Sequence, residues 1–185
     1  MCILLAKGTE KGIIVGMNRD EKPSRAHKHY ATGELFYPAD VERGGTWLAI
    51  SRKTGDIAAL LNKGLFSGNR SRGEVPLRIL REGRLDSDLC GYAPFEVFWY
   101  KHKERTVRVA EWNGYVLSWR KEGLHYVMAS SRYNIESQKE MVAASFFCDV
   151  DDAYSFREAL RSHFPKKGFV STCMHGGITQ SIAST

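Results

Sequence analysis

The chain has 185 residues, 43% of them hydrophobic and 11% aromatic, and carries a net charge of +6. This suits one globular domain, residues 1–185, with a full apolar core, and no apolar stretch approaches the ~20 residues of a membrane-spanning helix. The opening apolar run stops at Lys7-Gly8, too early for a signal peptide, and four scattered cysteines, Cys2, Cys90, Cys148 and Cys173, build no disulfide framework and fit a reducing, cytoplasmic setting.

In chain order, Cys2–Ala6 and Gly12–Met17 read as strands around a turn at 7–11, and Thr46–Ser51 and Asp56–Asn62 as a second hairpin turned by Arg52-Lys53-Thr54-Gly55. A Gly-rich polar loop, 64–73, leads to a short helix at Val75–Glu82 with Pro76 in its first turn. Four strands follow, Phe95–Tyr100, Thr106–Trp112, Tyr115–Trp119 and His125–Ala129, with Asn113-Gly114 as the strongest hairpin signal. The period then changes. Ile135–Phe147 reads as a helix, and Asp151 or Asp152 caps another through Tyr154, Phe156, Leu160 and Phe164 up to Pro165. Gly168–His175 and Ile178–Thr185 close the chain as a hairpin turned by Gly176-Gly177, expected to lie beside the N-terminal one. Strands, then helices, then strands make an α+β domain of layered antiparallel sheets.

Cys2 is the residue with chemistry to offer. Removal of Met1 would leave a thiol and an α-amine on one carbon, with ordinary pKa values of about 8.5 and about 7.7–8.0, a nucleophile beside its own base. Read alone, Cys2 is equally a small buried hydrophobe. With the first turn centred on Thr9–Glu10, Cys2 lies opposite Met17 or Asn18, so Asn18-Arg19-Asp20-Glu21 arrives at its side. There Asp20 can hold the amine or orient the thiol, Arg19 can favour thiolate, and the amide of Asn62 can donate to an oxyanion. As a polar loop and a turn, the same residues need do nothing.

Met1-Cys2-Ile3, Asn18-Arg19-Asp20-Glu21, Gly44-Gly45-Thr46-Trp47-Leu48, Ala58-Ala59-Leu60-Leu61-Asn62 and Cys173-Met174-His175 together resemble the NRDE family, also named after the transport and Golgi organisation protein. The resemblance spans the chain. It implies an N-terminal-nucleophile (Ntn) hydrolase-like fold, a four-layer α-β-β-α sandwich of two antiparallel sheets flanked by helices. It also implies hydrolysis of a non-peptide amide or thioester through Cys2, Asn18, Asp20 and Asn62. The chain departs from the related acylases in two ways. Gly16-Met17 stand where they carry an arginine, and Ser130-Ser131 where they carry a second asparagine. Arg19, alternating away from Asn18 and Asp20 on a strand, Ser131 and His175 are supporting candidates. Relatives also continue past the last strand, so a C-terminally short domain is expected.

The alternative on the same fold is a non-catalytic trafficking module for haem or an acyl-coenzyme A or lipid ligand. Cys2, Cys173 and His175 have the residue types of haem ligands, and the basic stretch from Arg70 to Arg84 suits phosphates. No nucleic-acid motif is present, no C-x-x-C or His/Cys pair has zinc spacing, and no metal or resident cofactor is expected.

Overall fold

The structure is a computed structural model and describes residues 2–64, 68–85, 88–130, 135–175 and 180–184. It divides into two compact units, Met1–Ser24 with Leu124–Thr185, and Arg25–Gly123. Both are built on antiparallel sheets, which makes the fold α+β. Among the described residues no helix is long and apolar enough to cross a membrane.

In the first unit, β1 (Ile3–Thr9) and β2 (Gly12–Glu21) form a hairpin whose turn is Glu10-Lys11 alone, and the Thr9 hydroxyl accepts from Gly12 N–H at 3.1 Å. β1 therefore runs three residues into the expected turn, whereas β2 starts at Gly12 as expected and continues past Met17 to Glu21. The register is Ile3↔Asn18 and Leu4↔Met17. One step on, Cys2 aligns with Arg19 and not with Met17 or Asn18. A turn centred one residue later moves every cross-strand partner by two.

Described residues 126–129 form β10 (Tyr126–Ala129), which pairs with β1, and β11 (Gln180–Ser184) pairs with the other edge of β2, giving the order β10-β1-β2-β11. The last strand thus lies beside the N-terminal hairpin. Its expected hairpin partner does not form, because Gly168–Cys173 makes bends and not a strand; the glycine turn at 176–177 lies outside the described residues.

Two helices pack on one face of this sheet. Ile3 and Leu5 of β1 and Ala129 of β10 join Ala143 of α2 (Ile135–Ser145) and Phe156, Ala159 and Leu160 of α3 (Ala153–Arg161) in one buried cluster. Each large side chain there contributes about 1.5–3 kcal/mol. A 3-10 turn, Phe146–Asp149, follows α2. Asp152 caps α3, accepting from Ser155 N–H at 2.8 Å, while the Ser155 hydroxyl accepts from Asp152 N–H. The helix ends at Arg161, before Pro165, because Ser162 turns extended.

The second unit is a seven-stranded meander, β3 to β9 in chain order: His27–Ala31, Leu35–Asp40, Leu48–Ser51, Ile57–Asn62, Phe95–Lys101, Thr106–Trp112 and Leu117–Glu122. The first two carry little apolar alternation. β3 is an edge strand reading His-Lys-His-Tyr-Ala, exposed along most of its length, where pairing and not burial makes the strand. β9 starts at Leu117 and not at Tyr115, since Asn113 holds a four-residue loop by accepting from Tyr115 and Val116 N–H at 2.9 and 2.8 Å.

Helix α1 (Val75–Glu82) lays Val75 and Ile79 on Ala58 and Leu60 of β6 and Val97 and Trp99 of β7. Its approach is fixed by a backbone crossing. Thr46 N–H donates to Gly73 C=O at 2.8 Å, and a Cβ on Gly45 would stand 2.7 Å from the Gly73 Cα. Thr46 then donates its hydroxyl to the Pro38 and Leu48 carbonyls. The Gly-Gly-Thr-Trp-Leu block is therefore a packing device.

On β7, Glu96 is buried. Burial by itself raises a carboxyl pKa, yet Lys63, at 3.0 Å, and Arg120 bring it below the usual range.

Gly45→Ala is expected to cost about 1–3 kcal/mol of stability in chemical denaturation, because neither backbone can yield. Because the folded Glu96 pKa is lowered, its stabilisation is complete above the unfolded value near ~4.3 and is lost as pH falls through the folded value. Glu96→Gln should flatten that acid-side slope in thermal melts recorded against pH.

Candidate functional site

Cys2 sits at the head of β1. Its backbone N–H donates to Ser130 Oγ at 2.8 Å, and its carbonyl accepts from Ser130 N–H at 3.0 Å. Ser130 follows β10 directly, and the β1–β10 register places it there. Ser131, the supporting candidate from sequence, lies outside the described residues; its neighbour holds the Cys2 nitrogen.

The Cys2 thiol is pushed above its ordinary pKa, first by burial and then by the Asp20 charge, while the Asp20 backbone N–H and Lys139 act in the opposite sense. The resting group is a thiol and not a preformed thiolate, so any attack must include removal of its proton.

Asp20 does not stand alone. Its carboxylate meets Lys139 Nζ at 2.9 Å, with both side chains fully buried, and it accepts from the Ser181 hydroxyl. β2, α2 and β11 thus converge on one carboxylate. Nothing in the sequence pattern marked Lys139, since a lysine on a predicted helix reads as a solvated one. The weak apolar stripe of α2 was the available signal: a helix packed on a sheet with few apolar residues buries something polar.

Asn18 is fully buried. Its amide donates to the Leu160 and Thr172 carbonyls at 2.6 and 2.8 Å, which ties the end of α3 to β2. Arg19 alternates away from Asn18, is buried and pairs with Glu21 at 3.6 Å. Asn62 ends β6 in the other unit, exposed and in register with Phe95.

Cys173 and His175 lie near this group. The Cys173 thiol is raised by burial and by Asp20, with Lys139 opposing. His175 Nε2 stands 3.5 Å from Cys173 Sγ, and its ring is held below the ordinary histidine value by burial, then by Lys167 and His163. The structure therefore brings together Cys2, Asp20, Ser130, Lys139 and Ser181, with Asn18 bracing the strand between them.

Breaking the buried ion pair leaves an uncompensated charge. Lys139→Met is expected to lower stability by about 3–5 kcal/mol, and the Asp20→Asn, Lys139→Met double variant to recover some of that loss. Urea denaturation of the four species measures it.

No curated protein sequence matches the chain. The Transport and Golgi organisation 2 family matches residues 1–147, a span that includes the Met-Cys start, the Asn-Arg-Asp-Glu tetrad, the Gly-Gly-Thr-Trp-Leu block and Lys139. The match covers well over half of the chain, which therefore belongs to the Transport and Golgi organisation 2, or NRDE, family.

Proposed function

We propose that the protein is an N-terminal-cysteine acyl hydrolase of Ntn type, acting on a non-peptide amide or thioester. The observation that carries this reading is the 2.8 Å bond from the Cys2 nitrogen to Ser130 Oγ, beside a thiol whose environment keeps its proton. Once Met1 is removed, that nitrogen is an α-amine already held by a hydroxyl. In the free enzyme, the neutral amine takes the thiol proton as sulfur attacks the carbonyl. The resulting ammonium returns the proton to the leaving amine or thiol as the C–N or C–S bond breaks. Water, deprotonated by the same amine, then opens the acyl-thioester and restores the thiol.

In this reading Asp20 is a positioning residue. Its carboxylate is committed to Lys139 and Ser181, and its backbone N–H serves the sulfur. Asn18 positions β2 by the same logic. The oxyanion role of Asn62 rests on the resemblance alone.

A ligand-carrying role for haem or an acyl-coenzyme A is the second reading, and membership of a transport-related family favours it. The two differ in what they ask of Cys2.

Intact-mass analysis is expected to show loss of Met1 and, after exposure to a β-lactone, one adduct at Cys2. Cys90 and Cys148 are exposed, so a reagent that merely reports access will label them instead. Cys2→Ala should take no adduct while keeping its circular dichroism. Ser130→Ala should slow labelling about five- to tenfold, the worth of one hydrogen bond of about 1–1.5 kcal/mol. Retained Met1, or equal labelling of Cys90 and Cys148, overturns the hydrolase reading, and a saturable spectral response to haem then supports the ligand-carrying one.

A further inference from the structure

Beyond the acyl chemistry of Cys2, the first unit gathers a second set of donors. His163, Cys173 and His175 each offer one ligand atom, and these atoms all lie within 4.8 Å of one another. Two imidazoles and a thiol are the donor set of zinc-class cations. We propose that His163, Cys173 and His175 form a binding site for one such cation, with a fourth position left to water or an exogenous donor.

The spacing supports a small ion. Metal–sulfur and metal–nitrogen bonds of about 2.3 and 2.0–2.1 Å at a tetrahedral angle separate the two donors by roughly 3.5–3.6 Å. Cys173 Sγ and His175 Nε2 stand 3.5 Å apart. The same bonds on opposite sides of a haem iron would hold them about 4.3 Å apart, with a porphyrin between. The pair has the geometry of neighbours on one ion, not of two axial ligands. His163 completes the group, its ring centroid 4.9 Å from that of His175.

The scaffold is set before any ion arrives. Cys173 N–H donates to the Ser162 carbonyl at 3.0 Å, and the Thr172 hydroxyl donates to the Ala159 and Ser162 carbonyls at 2.6 and 3.1 Å. These bonds fasten the Cys173 segment to the end of α3, immediately before His163. Ser181 fixes the far side, accepting from Met174 N–H at 2.7 Å while its own N–H donates to Met174 C=O. Ser171 and Thr172 are fully buried, so the segment between the ligands is anchored. His163 and Cys173 are ten residues apart in sequence and meet only because of this clamp.

Cobalt(II) is the probe, added to chelator-treated full-length protein. The expected result is one Co²⁺ per chain, a near-ultraviolet thiolate-to-cobalt charge-transfer band, d–d bands of tetrahedral intensity, and loss of all of them on adding Zn²⁺. Cys173→Ser should abolish the charge-transfer band and Cys2→Ser should keep it. His163 is exposed, so His163→Ala should fold normally; it is expected to weaken Co²⁺ binding at least about tenfold, the lower end of what even outer-sphere changes cost. Absence of the band, a band that follows Cys2 in place of Cys173, or unchanged affinity in His163→Ala overturns the site. None of these outcomes depends on turnover or β-lactone labelling at Cys2, so the two readings fail separately.

Discussion

The buried pair of Asp20 and Lys139 is the interaction on which the first unit depends. Three elements distant in sequence meet at the Asp20 carboxylate: β2 supplies it, α2 supplies the ammonium, and β11 supplies the Ser181 hydroxyl. Desolvating two charges is costly and is offset only by close geometry and further hydrogen bonds. The pair therefore specifies where α2 sits more than it adds stability. A wrong rotation of that helix would carry Lys139 away and leave the buried Asp20 carboxylate without its counter-charge, which is an expensive state. This explains how α2 docks on the sheet with Ala143 as its one residue, among those described, in the buried apolar cluster.

The same carboxylate shapes the chemistry around it. Its negative charge acts on both Cys2 and Cys173, and with burial it keeps each sulfur protonated at rest. A protonated thiol is inert until a base or a cation takes the proton's place. Cys2 has a nitrogen held at Ser130 for the first route, and Cys173 has two imidazoles for the second. Burial first, and this one anionic centre second, raise the pKa of two sulfurs with different partners.

The second unit follows a different constraint. Its meander is local, each strand pairing with the next, and a close crossing of Gly45 over Gly73 brings the α1 segment onto the sheet. A side chain at either glycine would separate the backbones that the Thr46 hydrogen bond joins. The Gly-Gly-Thr-Trp-Leu block therefore answers to packing, whereas the Asn-Arg-Asp-Glu tetrad answers to the polar centre of the other unit.

By itself the sequence determined what is local. Short β-like runs between turn residues gave β5 to β8, Pro76 and the Asp151-Asp152 pair marked the starts of two helices, and the short motifs pointed to the family. It could not place what depends on partners. β3 is polar and exists by pairing. The Cys2 register turned on whether the hairpin was centred on Thr9-Glu10 or on Glu10-Lys11. Gly168–Cys173 looked like a strand, yet its Thr172 and Cys173 hydrogen bonds go to the end of α3 and not to a neighbouring strand. Lys139 and Ser181 carry no local signature at all, and Ser130 was marked only by the resemblance, not by its pattern. They acquire their roles when tertiary structure removes water from around Asp20 and Cys2, because only there does a buried charge or N–H require a partner.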